Sequence, residues 1–292
     1  MAKIKKYLFI FPLLVIILAL FSKNPTFSID PSNKKYQVLA SELETSIATP
    51  TIMIPGTNGT VNRFDGLLDK LTKVYSDVSV QKITVKTDGT LTINGKLNTK
   101  SQHPVFVIAF EKAEDGIEAL VQQGQWLKIA LDYLAQRYEF TQYNCIGHSN
   151  GGLVMTEYLQ NSYSSDDPTL ATLMTLGTPY NDVEQAANSD GNNLLITNWL
   201  QHYLDKQESL PDNLQVINVA GRTLSQDTDG IVPLNSVLAG KKLYGFVNDY
   251  QEVIVEASHS ELPENAQVIK LITQIMNQEK EDETDAQTSA NV

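Results

Sequence analysis

The most constraining feature of the sequence is a serine between two glycines, at the point where an apolar run meets a helix-forming stretch. Residues 147–151 read Gly-His-Ser-Asn-Gly and directly follow the run Tyr143 to Ile146. A strand-to-helix turn this sharp leaves no room for a side chain at either flank and holds its central residue in a strained conformation. The pattern predicts an exposed nucleophile, Ser149, at the end of a strand. The alternative is an ordinary turn in which Ser149 caps the helix, and it predicts no partner residues elsewhere.

Short β-rich runs alternate with longer helical patterns on both sides of this turn. Helices are predicted at Gly116 to Tyr138, Gly152 to Tyr163 and Ala266 to Met276. Strands are predicted at Thr51 to Ile54, Val78 to Val85, Thr90 to Asn94, Val105 to Phe110, Tyr143 to Ile146, Leu173 to Leu176, Leu214 to Val219 and Glu252 to Val255.

This alternation predicts an α/β fold with a mostly parallel central sheet and helices on both faces. The second and third strands are joined by an Asp-Gly turn at Asp88 and Gly89, which predicts an antiparallel hairpin at one edge. Ligands of such sheets bind at the carboxyl ends of the strands. Residues that directly follow strands are therefore the candidates for chemistry.

One of the four histidines is placed to act as a base for the serine. Chains with this turn carry the triad in the order serine, acid, histidine. His259 follows the strand Glu252 to Val255 and precedes the last helix, which is the expected position. The others fit less well: His148 points away across the turn, His103 lies at the wrong end of its strand, and His202 lies in a polar insertion.

The acid is expected in the loop that follows the strand Leu214 to Val219. Asp229 is the predicted orienting carboxylate, because it directly precedes Gly-Ile-Val-Pro and can reach the imidazole from the strand end. Asp227 remains the alternative. A calcium loop is a weaker interpretation, because Ser225 and Ser236 stand where an EF-hand pattern needs acidic residues.

Two backbone donors are predicted for an oxyanion. One is the N–H of Asn150, directly after the nucleophile, and the other is the N–H of Thr57, in the glycine-containing loop after the first strand. The same loop lacks the Gly-Lys-Ser/Thr ending of a phosphate-binding loop.

Taken together, these motifs resemble the α/β-hydrolases, and within them the lipase-like cell-surface hydrolases of Gram-positive bacteria. The resemblance covers residues 50 to 277. It rests on Gly-His-Ser-Asn-Gly-Gly at 147–152, Leu-Gly-Thr-Pro-Tyr at 176–180, Asp-Gly-Ile-Val-Pro at 229–233 and His-Ser-Glu-Leu at 259–262. One departure is Pro55-Gly56, where lipase-like relatives usually carry His-Gly.

The resemblance implies acyl transfer to water. Ser149 would attack a carbonyl, His259 would carry the proton and Asp229 would orient the imidazole, while the N–H groups of Thr57 and Asn150 hold the oxyanion. A small-molecule or lipid ester is the implied substrate, with no metal and no organic cofactor. The oligomeric state stays open.

The N-terminus predicts export. Three lysines precede the apolar run Tyr7 to Ser22, and Lys23 closes it, so residues 1–28 are interpreted as a signal peptide or an uncleaved membrane anchor. Residues 29–48 are interpreted as a linker, 49–277 as the hydrolase domain and 278–292 as an acidic, disordered tail. Contact with the membrane is expected through the N-terminal segment only.

The charge of the chain excludes one class of partner. The formal net charge is -12, and removing residues 1–28 removes four lysines and no acidic residue, which leaves 34 acidic against 18 basic side chains, or -16. Nucleic acid binding needs clustered lysine and arginine, so it is not expected.

An insertion at about 181–213 is predicted to cover the site. It contains an amphipathic segment, Asn193 to Lys206, in which Leu195, Trp199 and Leu200 recur at helical spacing. Two interpretations stay open: a lid whose Leu195, Trp199 and Leu200 contact the substrate, or a cap packed permanently on the core.

The sequence also leaves alternatives to an ester hydrolase open. A non-catalytic surface-binding protein could keep this fold. A peptidase, thioesterase or acyltransferase could use the same triad.

Overall fold

The computed structural model describes residues 46–191 and 194–289, with side chains as far as residue 277. The strands are β1 (Thr51–Ile54), β2 (Val78–Val85), β3 (Leu91–Asn94), β4 (His103–Phe110), β5 (Gln142–His148), β6 (Thr169–Leu176), β7 (Gln215–Arg222) and β8 (Asp249–Glu256). The helices are α1 (Asp65–Val74), α2 (Ile117–Tyr138), α3 (Asn150–Asn161), α4 (Asn198–Leu204), α5 (Leu234–Leu238), α6 (Gly240–Tyr244) and α7 (Ala266–Ser289).

The described strands form one eight-stranded sheet in the order β3-β2-β4-β1-β5-β6-β7-β8. Only the β2–β3 pair is antiparallel, and the other neighbours pair in parallel. The hairpin forms one edge of the sheet, as the Asp-Gly turn predicts. The predicted fold class and all eight predicted strands are confirmed.

Alternation along the strands explains why helices cover both faces of the sheet. In β1, Ile52 and Ile54 contribute to one buried cluster and Met53 to another, because successive side chains of a strand point to opposite faces. The first cluster is completed by α2 and α3, and the second by α1 and α7. Both faces of the sheet are therefore apolar and covered, as expected for parallel strands.

The structure contains helices that the sequence did not predict. Helix α1 has ten residues and buries Leu67, Leu68 and Leu71, while α5 and α6 have five residues each. Helices α5 and α6 give too few turns for a clear helical periodicity, whereas the buried leucines of α1 do lie at helical spacing and could have indicated it.

The last helix is longer than predicted. Its backbone continues from Ala266 to Ser289, whereas the sequence predicted a disordered tail from residue 278. Residues 278–289 include three glutamates, two glutamines, one lysine and one alanine, which are strong helix formers, so the lack of large apolar residues did not prevent a helical backbone.

The predicted signal or anchor, 1–28, and nearly all of the predicted linker, 29–48, lie outside the described residues. Within the part that is described, none of the helices combines the length and apolar character that a membrane crossing requires.

Helix α4 lies in the predicted cap and is packed against the core. Leu200 and Tyr203 are fully buried and belong to the same cluster as α2 and α3. The carbonyl of Tyr203 accepts a hydrogen bond from Gln160 Nε2 (2.8 Å), and His202 Nε2 lies 2.7 Å from Glu157 Oε1. Of the two interpretations, this burial favours the packed cap, and it places Leu200 against the core rather than towards a substrate.

We expect Leu200→Ala to lower the free energy of unfolding by about 2–5 kcal/mol, because it leaves a cavity in the core. Leu195→Ala is the matched control: Leu195 is 65% exposed in the same insertion, so its truncation should change stability by less than about 0.5 kcal/mol. Urea unfolding of both variants measures this. Equal, small effects would mean that α4 opens independently of the core, as a lid does.

Candidate active site

The candidate site lies at the carboxyl edge of the sheet, where the seven parallel strands end. Ser149 follows β5, and the loop with Thr57 follows β1. Asp229 lies in the loop after β7, and His259 follows β8. Residues more than 100 positions apart in the sequence meet because parallel strands end at the same edge.

Ser149 occupies the strained conformation that its turn predicts. Its φ of 55° and ψ of -131° lie in a region that side chains rarely adopt. The flanking glycines are required by packing: a Cβ at Gly147 would lie 2.5 Å from the amide nitrogen of Gly152, and one at Gly151 would collide with the carbonyl oxygen of Ile54. The turn therefore depends on close contact between β1, β5 and α3.

The backbone of Ser149 is held on both sides. Its N–H donates to the carbonyl of Leu176 (2.8 Å), and its carbonyl accepts from Thr178 Oγ1 (2.9 Å). Helix α3 begins at the next residue, so the positive end of its dipole lies at Ser149. The side chain of Ser149 is thus presented from a fixed backbone.

Asp229 and His259 form a buried pair. His259 Nδ1 donates to Asp229 Oδ2 at 2.6 Å, and both residues are more than 90% buried. The other carboxylate oxygen accepts from the N–H groups of Ile231 (2.9 Å) and Val232 (2.7 Å), which orient it. Asp227, the alternative acid, is exposed. The geometry therefore selects Asp229 as the partner of His259.

His148 links this pair to the nucleophile turn. Its Nε2 donates to the carbonyl of His259 (2.9 Å), and the ring centroids of the two histidines are 4.7 Å apart. Burial, and then the neighbouring charge of His259, lower the pKa of His148 to about 3. His148 is therefore a neutral structural donor.

In the described structure, no hydrogen bond joins the Ser149 hydroxyl to the His259 ring. Such contacts are commonly long in a free enzyme and shorten when the substrate binds. The other two histidines lie elsewhere: His103 Nδ1 contacts Asp77 (2.7 Å) at the start of β4, and His202 contacts Glu157.

The loop after β1 lies against Ser149. A Cβ at Gly56 would approach Ser149 Cβ to 2.5 Å and Ser149 Oγ to 3.0 Å, so only a glycine allows this approach. Thr57 comes next, and its Oγ1 accepts a hydrogen bond from Asn150 Nδ2 (2.8 Å). The structure therefore brings together Thr57 and Asn150, the two predicted oxyanion donors.

Two neighbouring grooves share lining residues, and neither of them is lined by Ser149, Asp229 or His259. The larger groove reaches the site through Asp115, which contacts Asn150. Half of the residues that line the larger groove, of about 610 Å³, are charged, and they lie in the loop after β4 and at the start of α2: Lys112, Glu114, Asp115 and Glu118. The smaller, of about 400 Å³, is lined largely by apolar residues of the cap, among them Ala186, Ala187, Leu195 and Ile196.

Trp199 and Ile117 line both grooves. The indole Nε1 of Trp199 is buried and has no hydrogen-bond partner among the described residues. Leu195 is exposed at the smaller groove, whereas Leu200 lies in the core. Within the described residues, no cluster of three histidine, cysteine or acidic side chains could hold a metal ion.

Sequence reasoning missed two residues of this site. Asp115 follows β4 and accepts a hydrogen bond from Asn150 Nδ2 (2.7 Å); its position after a strand could have flagged it. Thr178 belongs to the motif at 176–180 that carried the resemblance, but only the structure shows that it holds the carbonyl of Ser149.

The chain belongs to an α/β-hydrolase family, described as alpha/beta hydrolase of unknown function (DUF915), whose model matches residues 39–279. Two crystal structures are similar to it. One is a Listeria innocua gene product (31% identity, TM-score 0.69). The match covers 77% of this chain and 92% of the Listeria chain. The other, from Lactobacillus plantarum, is described as a cell surface hydrolase (32% identity, TM-score 0.69). The match covers 83% of this chain and 98% of the Lactobacillus chain. A search of curated proteins found no match.

We expect His148→Gln to flatten the acid side of the stability profile. The pKa of His148 falls from 6.5 to about 3 on folding, so between these values the unfolded chain binds a proton that the folded chain does not. Its contribution to stability is therefore complete above pH 6.5 and is lost as the pH falls towards 3, by at most about 1.4 kcal/mol per pH unit. Glutamine keeps an N–H donor but does not titrate.

Urea unfolding of both proteins from pH 4 to pH 7 measures the effect. An identical pH slope in the variant and the parent would show that folding does not lower the pKa of His148.

Proposed function

We propose that this α/β-hydrolase is an extracytoplasmic serine hydrolase that cleaves a carboxylic ester through Ser149, His259 and Asp229. The observation that carries the proposal is the buried Asp229–His259 hydrogen bond of 2.6 Å beside a serine in a strained strand-to-helix turn. Strain of this kind persists where the surrounding structure enforces it, and it is typical of functional sites. An ordinary capping serine needs neither the strain nor the buried pair.

In this mechanism the Ser149 hydroxyl attacks the ester carbonyl while His259 Nε2 takes its proton. The tetrahedral intermediate collapses to an acyl-enzyme, and the proton passes to the leaving alcohol. Water then repeats the sequence and releases the acid. Asp229 fixes the ring and stabilises the imidazolium that forms.

The oxyanion would be held by the backbone N–H groups of Thr57 and Asn150. In the described chain neither group has another acceptor, and Asn150 is the first residue of α3, where N–H groups have no partner within the helix. Donors fixed in advance stabilise developing charge without reorganisation.

The substrate would extend from Ser149 past Asp115, which contacts Asn150, into the two neighbouring grooves. An acyl chain fits the apolar groove at Leu195 and Ile196, whereas the charged groove at Asp115 and Glu118 suits a polar part of the ester. Trp199 lines both. An amphiphilic ester is therefore the proposed substrate class.

An extracytoplasmic site is supported by the lysine-flanked apolar segment within residues 1–28 and by the Lactobacillus relative described as a cell surface hydrolase. Protease accessibility on intact cells tests it: protection of the domain until lysis would contradict an exterior location.

We expect Ser149→Ala to reduce ester hydrolysis by at least about 1,000-fold, because the nucleophile is lost. The full-length protein would be assayed on p-nitrophenyl esters from acetate to palmitate, with Ser164→Ala, a change at an exposed serine, as the matched control. A fluorophosphonate probe should label the parent and Ser164→Ala but not Ser149→Ala.

Loss of hydrolysis in Ser149→Ala alone would support the proposal. An inactive parent that the probe also fails to label would instead favour a surface-binding protein on this fold. Activity on thioesters or amides rather than esters would move the function to a thioesterase or peptidase.

We expect Trp199→Ala to shift the preferred acyl chain length, because the indole lines both grooves. Trp199→Phe is the matched control: it keeps a smaller aromatic ring and removes the Nε1 donor, so its chain-length profile should lie closer to that of the parent than the profile of Trp199→Ala does. The same ester series measures both. Unchanged selectivity in Trp199→Ala would place the acyl chain elsewhere.

A further inference from the structure

The loop that carries Thr57 is braced by the loop after β4. The N–H of Asn58 donates to the carbonyl of Ala113 (2.7 Å). Two residues further along, Asp115 contacts Asn150, whose amide also contacts Thr57. Three chain segments, after β1, β4 and β5, therefore meet at one point beside Ser149.

The amide of Asn150 is the centre of this meeting point. Its Nδ2 has two hydrogens: one is donated to Thr57 Oγ1 (2.8 Å) and the other to Asp115 Oδ1 (2.7 Å). Both side-chain donors are thus used within the protein, and Asn150 is 96% buried. The side chain of Asn150 therefore serves the structure of the site, while its backbone N–H remains for a substrate.

Asp115 is anchored in turn. The same Oδ1 accepts from the N–H of Gly116 (2.9 Å), directly before α2 begins at Ile117. A carboxylate that accepts two N–H groups holds its position more firmly than a free side chain, because hydrogen bonds to a charged acceptor are stronger than neutral ones. The hydrogen bonds that join Gly116 to Asp115, Asp115 to Asn150 and Asn150 to Thr57 are called the brace below. The brace connects the start of α2 to the start of α3.

We propose that Asp115 is a positioning residue that holds the Asn150 amide against Thr57 and so fixes the spacing of the two backbone donors of the oxyanion. The inference rests on the proposed function, because it assigns those donors. Asp115 acts through Asn150 and does not itself contact the reacting atoms. What it supplies is a hydrogen-bond acceptor and not a negative charge, since a charge near a developing oxyanion would oppose it.

The acceptor and the charge are separated by two substitutions. Asp115→Ala removes both, and kcat should fall about 10-fold to 100-fold with KM within about threefold, because displaced donors weaken transition-state binding more than ground-state binding. Asp115→Asn keeps Oδ1 and removes the charge, so its kcat should stay within about threefold of the parent. Asp69→Asn, at an exposed position on α1, controls for the change in net charge.

Coupling between the two side chains is the second readout. Asn150→Leu should reproduce the kcat loss of Asp115→Ala, and the double variant should be no slower than either single variant, because all three break the same chain of hydrogen bonds. Hydrogen exchange at residues 57–59 should be faster in Asp115→Ala and unchanged in Asp115→Asn.

The outcomes separate this inference from the proposed function. An active parent with an equally active Asp115→Ala, or a kcat loss in Asp115→Asn as large as in Asp115→Ala, overturns the positioning role alone. A parent that hydrolyses no ester and resists the fluorophosphonate probe overturns the proposed function and the catalytic meaning of the brace together. A lowered melting temperature with normal kcat would likewise reduce Asp115 to a structural residue.

Discussion

The close packing of three backbones at the nucleophile turn is the constraint on which the rest of the site depends. The end of β1, the end of β5 and the start of α3 approach so closely that Gly56, Gly147 and Gly151 cannot carry a Cβ without a collision. Packing at this density fixes the positive φ of Ser149, since a relaxed turn would need more space. The strain is therefore offset by the pairing of β1 with β5 and by the burial of α3 beneath the cap.

The parallel sheet converts this local constraint into an assembled site. Ser149, Asp229 and His259 follow β5, β7 and β8, and these strands are close neighbours in the sheet order. Strand β6, between β5 and β7, contributes the Leu176 carbonyl to the N–H of Ser149. Backbone hydrogen bonds of the sheet thus bring the strand ends together, and short loops after the strands place the candidate residues next to each other.

The sequence predicted those parts of the structure whose signal is local. A few neighbouring residues are enough to indicate each of these features: the apolar strands, the hairpin turn at Asp88 and Gly89, and the strand-to-helix turn at Ser149. The sequence favoured Asp229 over Asp227, because Asp229 directly precedes Gly-Ile-Val-Pro, but only the fold shows that Asp229 is the one buried next to His259. Asp115 was missed for the same reason: its partner, Asn150, is 35 positions away.

Among the helices other than α1, too, those with a clear local pattern were predicted and those without one were not. The long helix α2 was predicted almost to the residue, whereas α5 and α6 are shorter than two turns and carry no readable period. The amphipathic pattern of the cap predicted a helix but could not say which surface its apolar face meets. Only the burial of Leu200 and Tyr203 shows that this face is used by the core, which leaves Trp199 and Leu195 for the grooves.

His148 and His259 are neighbours, but under the proposed mechanism only His259 accepts and returns a proton. Under the proposed mechanism His259 becomes an imidazolium, and a second positive charge 4.7 Å away, measured between ring centroids, would oppose that step. Burial prevents this by lowering the pKa of His148 to about 3, so that its ring stays neutral at the pH at which His259 would work. The neutral ring still donates a hydrogen bond to the His259 carbonyl. His148 can therefore position the base without competing with it for a proton, which explains why an ionisable residue is compatible with a place beside the nucleophile.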